Sequence, residues 1–404
     1  PKIIASTATI SRAKEQVRAL YNRKTSEVVQ FPPQCMDAGE SFFAYVDRKS
    51  EQMPGRIYIG VHASALPSHA TAQVRVISAL SQAVKMIDVQ EEKERDPYWT
   101  IVNYFNSIRE LGHAATLVSA DIDEYIRAMW KRKNITSDQK ERKRKLKRII
   151  ELTSRIGSGE IPRYLQELEN EYTGKNEDYP VDVCLATNMI SVGLDISRLG
   201  LMTVIGQPKT TSEYIQATSR VGRSAGAPGL VVVLYNTSKP RDRSIYERFY
   251  SYHNKIYSHV EPVSVTPFAS PVRDRALHAV MTGLVRYLGG EGYLDDPEVP
   301  DENIKKLVSE IISERVKNID PEEEQDTLKK LNMRFEEWER FSPLVYGSPS
   351  GQYSNPPLLY PAGIYNKEDD QINKSWPTLT SMRNVDVECM ASVISNYPEE
   401  EDEN

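Results

Sequence analysis

The stretch from Val181 to Leu234 constrains the fold more than any other part of the chain. Val181, Val183 and Leu185 make one short apolar run, Leu201 to Ile205 a second and Leu230 to Leu234 a third. Runs this short, bounded by polar loops, read as strands buried on both faces. Ser212-Glu213-Tyr214 opens a helix between the second and third. Strands alternate with helical stretches from Tyr98 to about Pro262, the pattern of an α/β fold with a mostly parallel sheet flanked by helices. The segment from Thr266 onward differs. Val272 to Leu288 and Ile304 to Arg340 have helical periodicity, with Pro321 breaking the second near its middle. A Pro-, Gly-, Ser- and Tyr-rich stretch over 341–375 follows, and strand-like character returns at Trp376 to Val387. A mainly helical C-terminal appendage is therefore expected.

The loops within the α/β region carry the chemistry. Thr187, Asn188, Ser191, Gly193 and Asp195 follow the first strand. Hydroxyls and backbone N–H groups at a strand end suit a nucleic-acid phosphate, and Asp195 suits a ribose hydroxyl or an interlobe contact. Alone, the loop reads equally as an ordinary strand-to-helix connection. Downstream stands Gln216-x-x-x-Arg220-x-x-Arg223. On one helical turn Arg220 and Arg223 would point the same way, and Gly222 between them allows a close backbone approach. Two guanidinium groups suit the charge that develops on the γ-phosphate during ATP hydrolysis. In isolation they would read as a solvated basic helix end. The polar loop upstream, at the right distance, changes that balance.

In this order and spacing, Ala186 to Arg223 resembles motifs V and VI of superfamily 2 helicases and translocases. The resemblance implies a RecA-like lobe. It implies Arg220 and Arg223 as γ-phosphate sensors, Gln216 beside them, and Gly193 and Asp195 in ATP binding and coupling. Thr187, Asn188 and Ser191 would hold the DNA. Lys2 to Ile10, KIIASTATI, resembles motif III: a strand ending in Ser6, Thr7 and Thr9 at an interlobe coupling position. Thr100 to Ser107, TIVNYFNS, resembles motif IV, with Asn106 and Ser107 presented to DNA. Thr153-Ser154-Arg155 resembles the next polar cluster, adding Thr153 and Arg155 to the DNA contacts, before a helix over Ile161 to Glu169.

The strings VNYFNSIRELGHAATLVSADI, VEPVSVTPFASPVRDRALHAV and SMRNV narrow the resemblance to the helicase component of the bacterial DISARM anti-phage system, with MrfA-type repair helicases as relatives. It extends from Pro1 to Val387. It implies ATP and Mg²⁺ as cofactors and DNA as partner, single-stranded or with a free single-stranded end. It also implies a zinc-domain partner protein of the same system (DrmB-like) and a location in the bacterial cytoplasm. The repair relatives carry a C-terminal zinc-binding cysteine cluster. Here Cys35, Cys184 and Cys389 are scattered with no CxxC, so no metal site or disulfide framework is expected.

The chain contains neither a GxxxxGKS/T phosphate loop nor a DExH-type acidic motif. The expectation is a C-terminal part of a longer protein, whose first RecA-like lobe holds most of the ATP and Mg²⁺ site. The expected organisation is the end of the first lobe over 1–31, closing with a helix from Ser11 and a short strand at Glu27 to Phe31, then a connecting segment over 32–97, the second lobe over 98–265 and a C-terminal extension over 266–404. No apolar run is long enough to span a membrane. A net charge of −6 argues against a uniformly basic surface. Lys131 to Arg148, however, contains ten Lys and Arg residues, a basic insertion that either contacts nucleic acid or is a solvated segment. Two functions remain open at this level. One is an ATP-dependent DNA motor of the defence or repair type. The other is a DNA-binding scaffold subunit whose ATPase is degenerate.

Overall fold

In the computed structural model, the structure describes residues 2–7, 9–33, 35–36, 40–45, 55–132, 142–153, 155–156, 159–174, 179–191, 195–224, 226–262, 265–347, 357–360 and 375–378. In chain order the elements begin with helix α1 (Ala13–Tyr21), strand β1 (Arg56–His62), α2 (His69–Met86), α3 (Asp96–Trp99), β2 (Ile101–Phe105) and α4 (Ile108–Leu117). Next come α5 (Asp123–Arg132), β3 (Ile149–Leu152), α6 (Ile161–Glu169), β4 (Val183–Ala186), β5 (Leu201–Ile205), α7 (Thr211–Thr218) and β6 (Gly229–Tyr235). The last are α8 (Pro240–Glu247), α9 (Phe249–Asn254), α10 (Ser270–Leu288), α11 (Glu291–Leu294), α12 (Glu302–Ile319), α13 (Glu324–Phe341), β7 (Leu359–Tyr360) and β8 (Trp376–Pro377). Contacts divide them into two compact units: Pro1–Arg12 with Phe31–Val263, and Ala13–Gln30 with Ser264–Asn404.

The first unit is an α/β, RecA-like lobe. Its six strands pair in parallel in the order β1-β6-β5-β2-β4-β3. Alternate residues feed the two faces. Val102, Tyr104, Cys184, Ala186, Met202, Val204, Val231 and Val233 pack with Leu168 of α6, Tyr214 of α7 and Tyr252 of α9. Ile101, Phe105, Val183, Leu185, Leu201, Ile205, Val232 and Leu234 pack with Ile77 of α2, Leu111 of α4 and Ile126 of α5. Burial on both faces explains why these strands read as apolar runs rather than as alternating ones. The sheet centre holds one polar pair, Asn103 opposite Thr203, whose hydroxyl donates to the Asn103 Oδ1 at 2.5 Å. Each satisfies the other, which is the condition for burying them.

The structure corrects the sequence expectations at three places. Residues 2–7 and 9–10 form no strand, and only a 3₁₀ turn (Thr25–Glu27) stands near the strand expected at Glu27 to Phe31. A strand is stabilised by pairing, and neither segment pairs with another strand among the described residues. Third, β3 emerges directly from the basic run, which is not simply solvated. Arg144 is 1% exposed and bonds to Asp182. Arg148 donates to the Tyr179 carbonyl and pairs with Glu167. Gln82 holds both flanks of the insertion. Its Oε1 accepts from Trp130 Nε1 at 2.9 Å and from the Arg144 N–H at 3.0 Å, and its Nε2 donates to the Arg142 carbonyl at 2.9 Å. Residues 133–141 lie outside the described residues.

The second unit is helical. Helices α10, α12 and α13 enclose Met281, Val285, Val308, Val316, Leu331 and Trp338. Pro321 starts a 3₁₀ turn between α12 and α13, a first position that tolerates a residue without an N–H. The short parallel pair β7–β8 closes on this core through Trp376, whose Nε1 donates to Glu337 at 2.8 Å. Helix α1 buries none of its own residues. It is held by hydrogen bonds from Arg18 to the Asn318 carbonyl and from Arg315 to the Leu20 carbonyl. Residues 379–387 of the expected strand-like segment lie outside the described residues. No described helix is long and apolar enough to cross a membrane.

Candidate functional site

The polar residues expected to hold DNA fall at the carboxyl ends of the parallel strands, where open α/β sheets bind ligands. Thr187 directly follows β4, Thr153 follows β3, and Asn106 and Ser107 follow β2; these three strands are neighbours. The Thr187 N–H donates to the Leu152 carbonyl at 3.3 Å, which joins two of those ends. Several of the side chains there also have a local duty. Asn106 Nδ2 donates to the carbonyls of Ile205 and Gly206 at 3.0 and 3.1 Å. Ser107 caps α4 by accepting from the Glu110 N–H at 3.2 Å. Thr153 donates to Glu151 and accepts from the Arg155 N–H. Arg155 is exposed, with one long bond to the Ile108 carbonyl. Asn188 opens a 3₁₀ turn that runs to Ser191. Gly193 lies outside the described residues, and so does the side chain of Ser191.

The arginines stand at the opposite edge. The sequence placed Arg220 and Arg223 on one helical turn; in the structure α7 ends at Thr218 and both lie on the turn that follows. The reason is Gly222. It has φ +67°, and a Cβ there would come within 2.4 Å of the Gly229 Cα. The close approach expected of this glycine is thus made to the start of β6. The Gly222 N–H donates to the Leu199 carbonyl at 2.8 Å, just before β5 begins. The turn therefore sits at the amino ends of β5 and β6. It is roughly 15 Å, one strand length, from Thr187.

Two contacts involve the remaining predicted residues, one at this turn and one on α7 before it. Asp195 lies on the crossover that carries the chain from the end of β4 to the start of β5, and its carboxylate pairs with Arg223. That pair is solvent-facing, so its contribution is to orientation more than to stability. Gln216, on α7, donates to the Thr9 hydroxyl at 3.4 Å. Thr7 in turn donates to the Thr9 carbonyl at 3.1 Å. The structure thus brings Thr7, Thr9 and Gln216 together. Ser6 is exposed.

Residues 130–225 match the family model for the helicase conserved C-terminal domain. That span holds Thr153, Thr187, Asp195, Gln216 and both arginines. That stretch of the chain therefore carries a helicase conserved C-terminal domain. The chain is also 40% identical over 397 residues to the DISARM protein DrmA of Bacillus paralicheniformis, a match that covers 96% of this chain and 34% of that protein. The chain spans about a third of the length of the curated relative it matches. Among solved structures it is similar to the DUF1998 helicase MrfA bound to DNA, at 13% identity and TM-score 0.37, covering 63% of this chain and 30% of that one. It is likewise similar to the Mycobacterium smegmatis helicase Lhr bound to single-stranded DNA and AMP-PNP, at 12% identity and TM-score 0.36, covering 66% and 27%.

Other polar residues of the α/β unit brace the site and were not singled out as such from the sequence. Asp242, near the start of α8, accepts from the N–H groups of Gln207 and Asn236 at 3.2 and 2.7 Å and so ties together the ends of β5 and β6. Burial raises its pKa above the ordinary carboxylate value, and those N–H groups oppose the shift. Its sequence neighbours pair internally: Arg241 donates to the Pro208 carbonyl and Arg243 to Glu247. Glu261 accepts from the Thr211 N–H and hydroxyl at the start of α7. Cys184 is inside the sheet, where burial pushes its thiol up to about 12. It is inert packing rather than a nucleophile. The aromatic run after β6 is mostly packing as well: Tyr252 is 5% exposed, and the Tyr214 hydroxyl bonds to His253 Nε2 at 2.9 Å.

The arginine turn offers two guanidinium groups, which fit an anionic phosphate group. Among the described residues no group of three or more His, Cys, Asp or Glu side chains could hold a metal ion.

Proposed function

We propose that this segment supplies the arginine-bearing second motor lobe of an ATP-dependent DNA helicase or translocase that acts in anti-phage defence. The observation that carries the reading is the division of polar residues between the two edges of one sheet. Hydroxyl and amide groups gather at the carboxyl ends of β2, β3 and β4, while Arg220 and Arg223 occupy a braced turn at the amino ends of β5 and β6. The loop from Thr187 to Asp195 runs between them, and Asp195 holds Arg223. A motor needs that separation, with the track on one side, the nucleotide on the other and a physical link between them.

In this reading Arg220 and Arg223 stabilise charge on the transferring γ-phosphate, and Gln216 and Asp195 keep them oriented. A first RecA-like lobe of the same protein holds most of ATP and Mg²⁺. Thr187, Asn188, Ser191, Asn106, Ser107, Thr153 and Arg155 face the phosphates of a DNA strand, single-stranded or with a free single-stranded end. Backbone contacts of this kind suit movement along arbitrary sequence. The similarity to a DISARM protein supports the defence assignment. It also supports a DrmB-like zinc-domain protein as partner and the bacterial cytoplasm as location.

Thr187→Val tests the track side. It keeps the shape of a residue that is 5% exposed and removes only the hydroxyl. In the full-length protein, the single-stranded DNA concentration giving half-maximal ATPase stimulation should rise about tenfold, the worth of one hydrogen bond to a charged group. Hydrolysis without DNA should stay unchanged. An unaltered DNA dependence would remove Thr187 from the track.

A further inference from the structure

Arg56 is the first residue of β1, a strand at the edge of the sheet that precedes the matched helicase region of 130–225. Its guanidinium reaches the arginine turn. Nε donates to the Val221 carbonyl at 2.7 Å, and Nη2 donates to the Ser219 carbonyl at 3.1 Å. These two carbonyls flank Arg220. They follow the last turn of α7, where carbonyls have lost their helical partners. The arginine stem fills the same corner, its Cγ 3.4 Å from where a Gly222 Cβ would stand and 3.0 Å from a Gly229 Cβ. Pairing of β1 with β6 places Arg56 opposite Gly229, so the strand register itself delivers the guanidinium to the turn. Two positions along β1, the Tyr58 hydroxyl bonds to that of Thr218, the last residue of α7, at 3.2 Å.

The N–H groups of the turn are held from within the lobe: those of Arg220 and Val221 donate to the carbonyls of Ala217 and Thr218 at 3.1 and 3.5 Å, and that of Gly222 to the Leu199 carbonyl at 2.8 Å, with the Val221 side chain buried in the core. The carbonyls of Ser219 and Val221 are the groups that Arg56 takes. A planar fork of donors grips two carbonyls at once, which a lysine ammonium does not do in the same geometry. We propose that Arg56 is a positioning residue for the arginine turn: it locks the peptide groups on both sides of Arg220, so that Arg220 and Arg223 meet the γ-phosphate in one orientation. The inference rests on the motor reading above.

The test uses the full-length protein with saturating single-stranded DNA, measuring kcat and KM for ATP in the unaltered protein, Arg56→Lys, Arg220→Ala and the double variant. Arg56→Lys should lower kcat by about 10- to 100-fold, as misplacement of a catalytic group does. KM, single-stranded DNA affinity and melting temperature should stay close to the unaltered values. In the Arg220→Ala background the same change should cost far less, because residues acting as a unit are not additive.

An unchanged kcat, or an equal loss in both backgrounds, would overturn the proposal. So would a parallel loss of melting temperature and DNA affinity in both Arg56→Lys and Arg56→Gln, since the contact would then serve only the fold. If the unaltered protein shows no DNA-stimulated hydrolysis, the motor reading falls and the brace with it. That outcome is distinct from an active protein indifferent to Arg56.

Discussion

Arg223→Ala in the full-length protein is expected to cut DNA-stimulated ATP hydrolysis by about 10³-fold or more, the scale on which arginines act in phosphoryl transfer. That factor corresponds to about 4 kcal/mol of transition-state stabilisation. The side chain is exposed, lies beyond the end of α7, and pairs with Asp195. Its removal should therefore leave the fold intact. Affinity for single-stranded DNA should also persist, because the strand-end residues lie at the other edge of the sheet. Arg223→Lys should recover little, since it keeps the charge but loses the planar fork. Hydrolysis retained in Arg223→Ala would deny the residue its role as γ-phosphate sensor.

Asp182→Ala carries the largest expected effect on stability. Asp182 and Arg144 are 0% and 1% exposed and 2.7 Å apart. Arg144 also donates to the Trp99 carbonyl at 2.9 Å, and its guanidinium lies 3.3 Å from the centroid of the Trp99 ring. Tyr172 stacks on the same indole, with ring centroids 3.4 Å apart. The second carboxylate oxygen of Asp182 accepts from the N–H groups of Lys147 and Arg148 at 2.7 and 3.0 Å. Burial pulls the Arg144 pKa below its ordinary value and Asp182 opposes that shift.

Removing the carboxylate leaves a cation without its counter-ion in the interior and strips two backbone donors of their acceptor. Breaking one side of such a pair costs about 3–5 kcal/mol. A melt of the variant should fall by about 10 °C, at 2–4 °C per kcal/mol for a domain of this size. Arg144→Met combined with Asp182→Asn should be milder than either loss of one partner. A fall of only a degree or two in Asp182→Ala would show that the pair is dispensable.

The legible parts of the fold were those decided by burial on both faces. Strands β2, β4, β5 and β6 are apolar runs because helices cover them on each side, and the break at Pro321 follows from its missing N–H. Strand β3 was hidden because it leaves a run of lysines and arginines, where charge reads as solvent. Arg144 and Arg148 turn inward to Asp182, Glu167 and the Tyr179 carbonyl. An aspartate immediately before a buried strand was the available hint.

At the candidate site, the residue types and their spacing were readable, but their edges were not. The helix-based placement of Arg220 and Arg223 failed because the backbone approach of Gly222 to Gly229 ends α7 early. That approach joins positions brought together only by the sheet. Arg56, Gln82, Asp242 and Glu261 escaped for the same reason: each acts on backbone groups far away in sequence. The strand expected at Lys2 to Ile10 illustrates the converse, an apolar run that does not become a strand without a pairing partner.

The most direct test of the motor assignment is ATP hydrolysis by the full-length protein with its proposed zinc-domain partner, measured with and without single-stranded DNA. The account predicts hydrolysis that rises strongly when single-stranded DNA is added. No hydrolysis above background, with or without DNA, would contradict it and favour a DNA-binding scaffold instead.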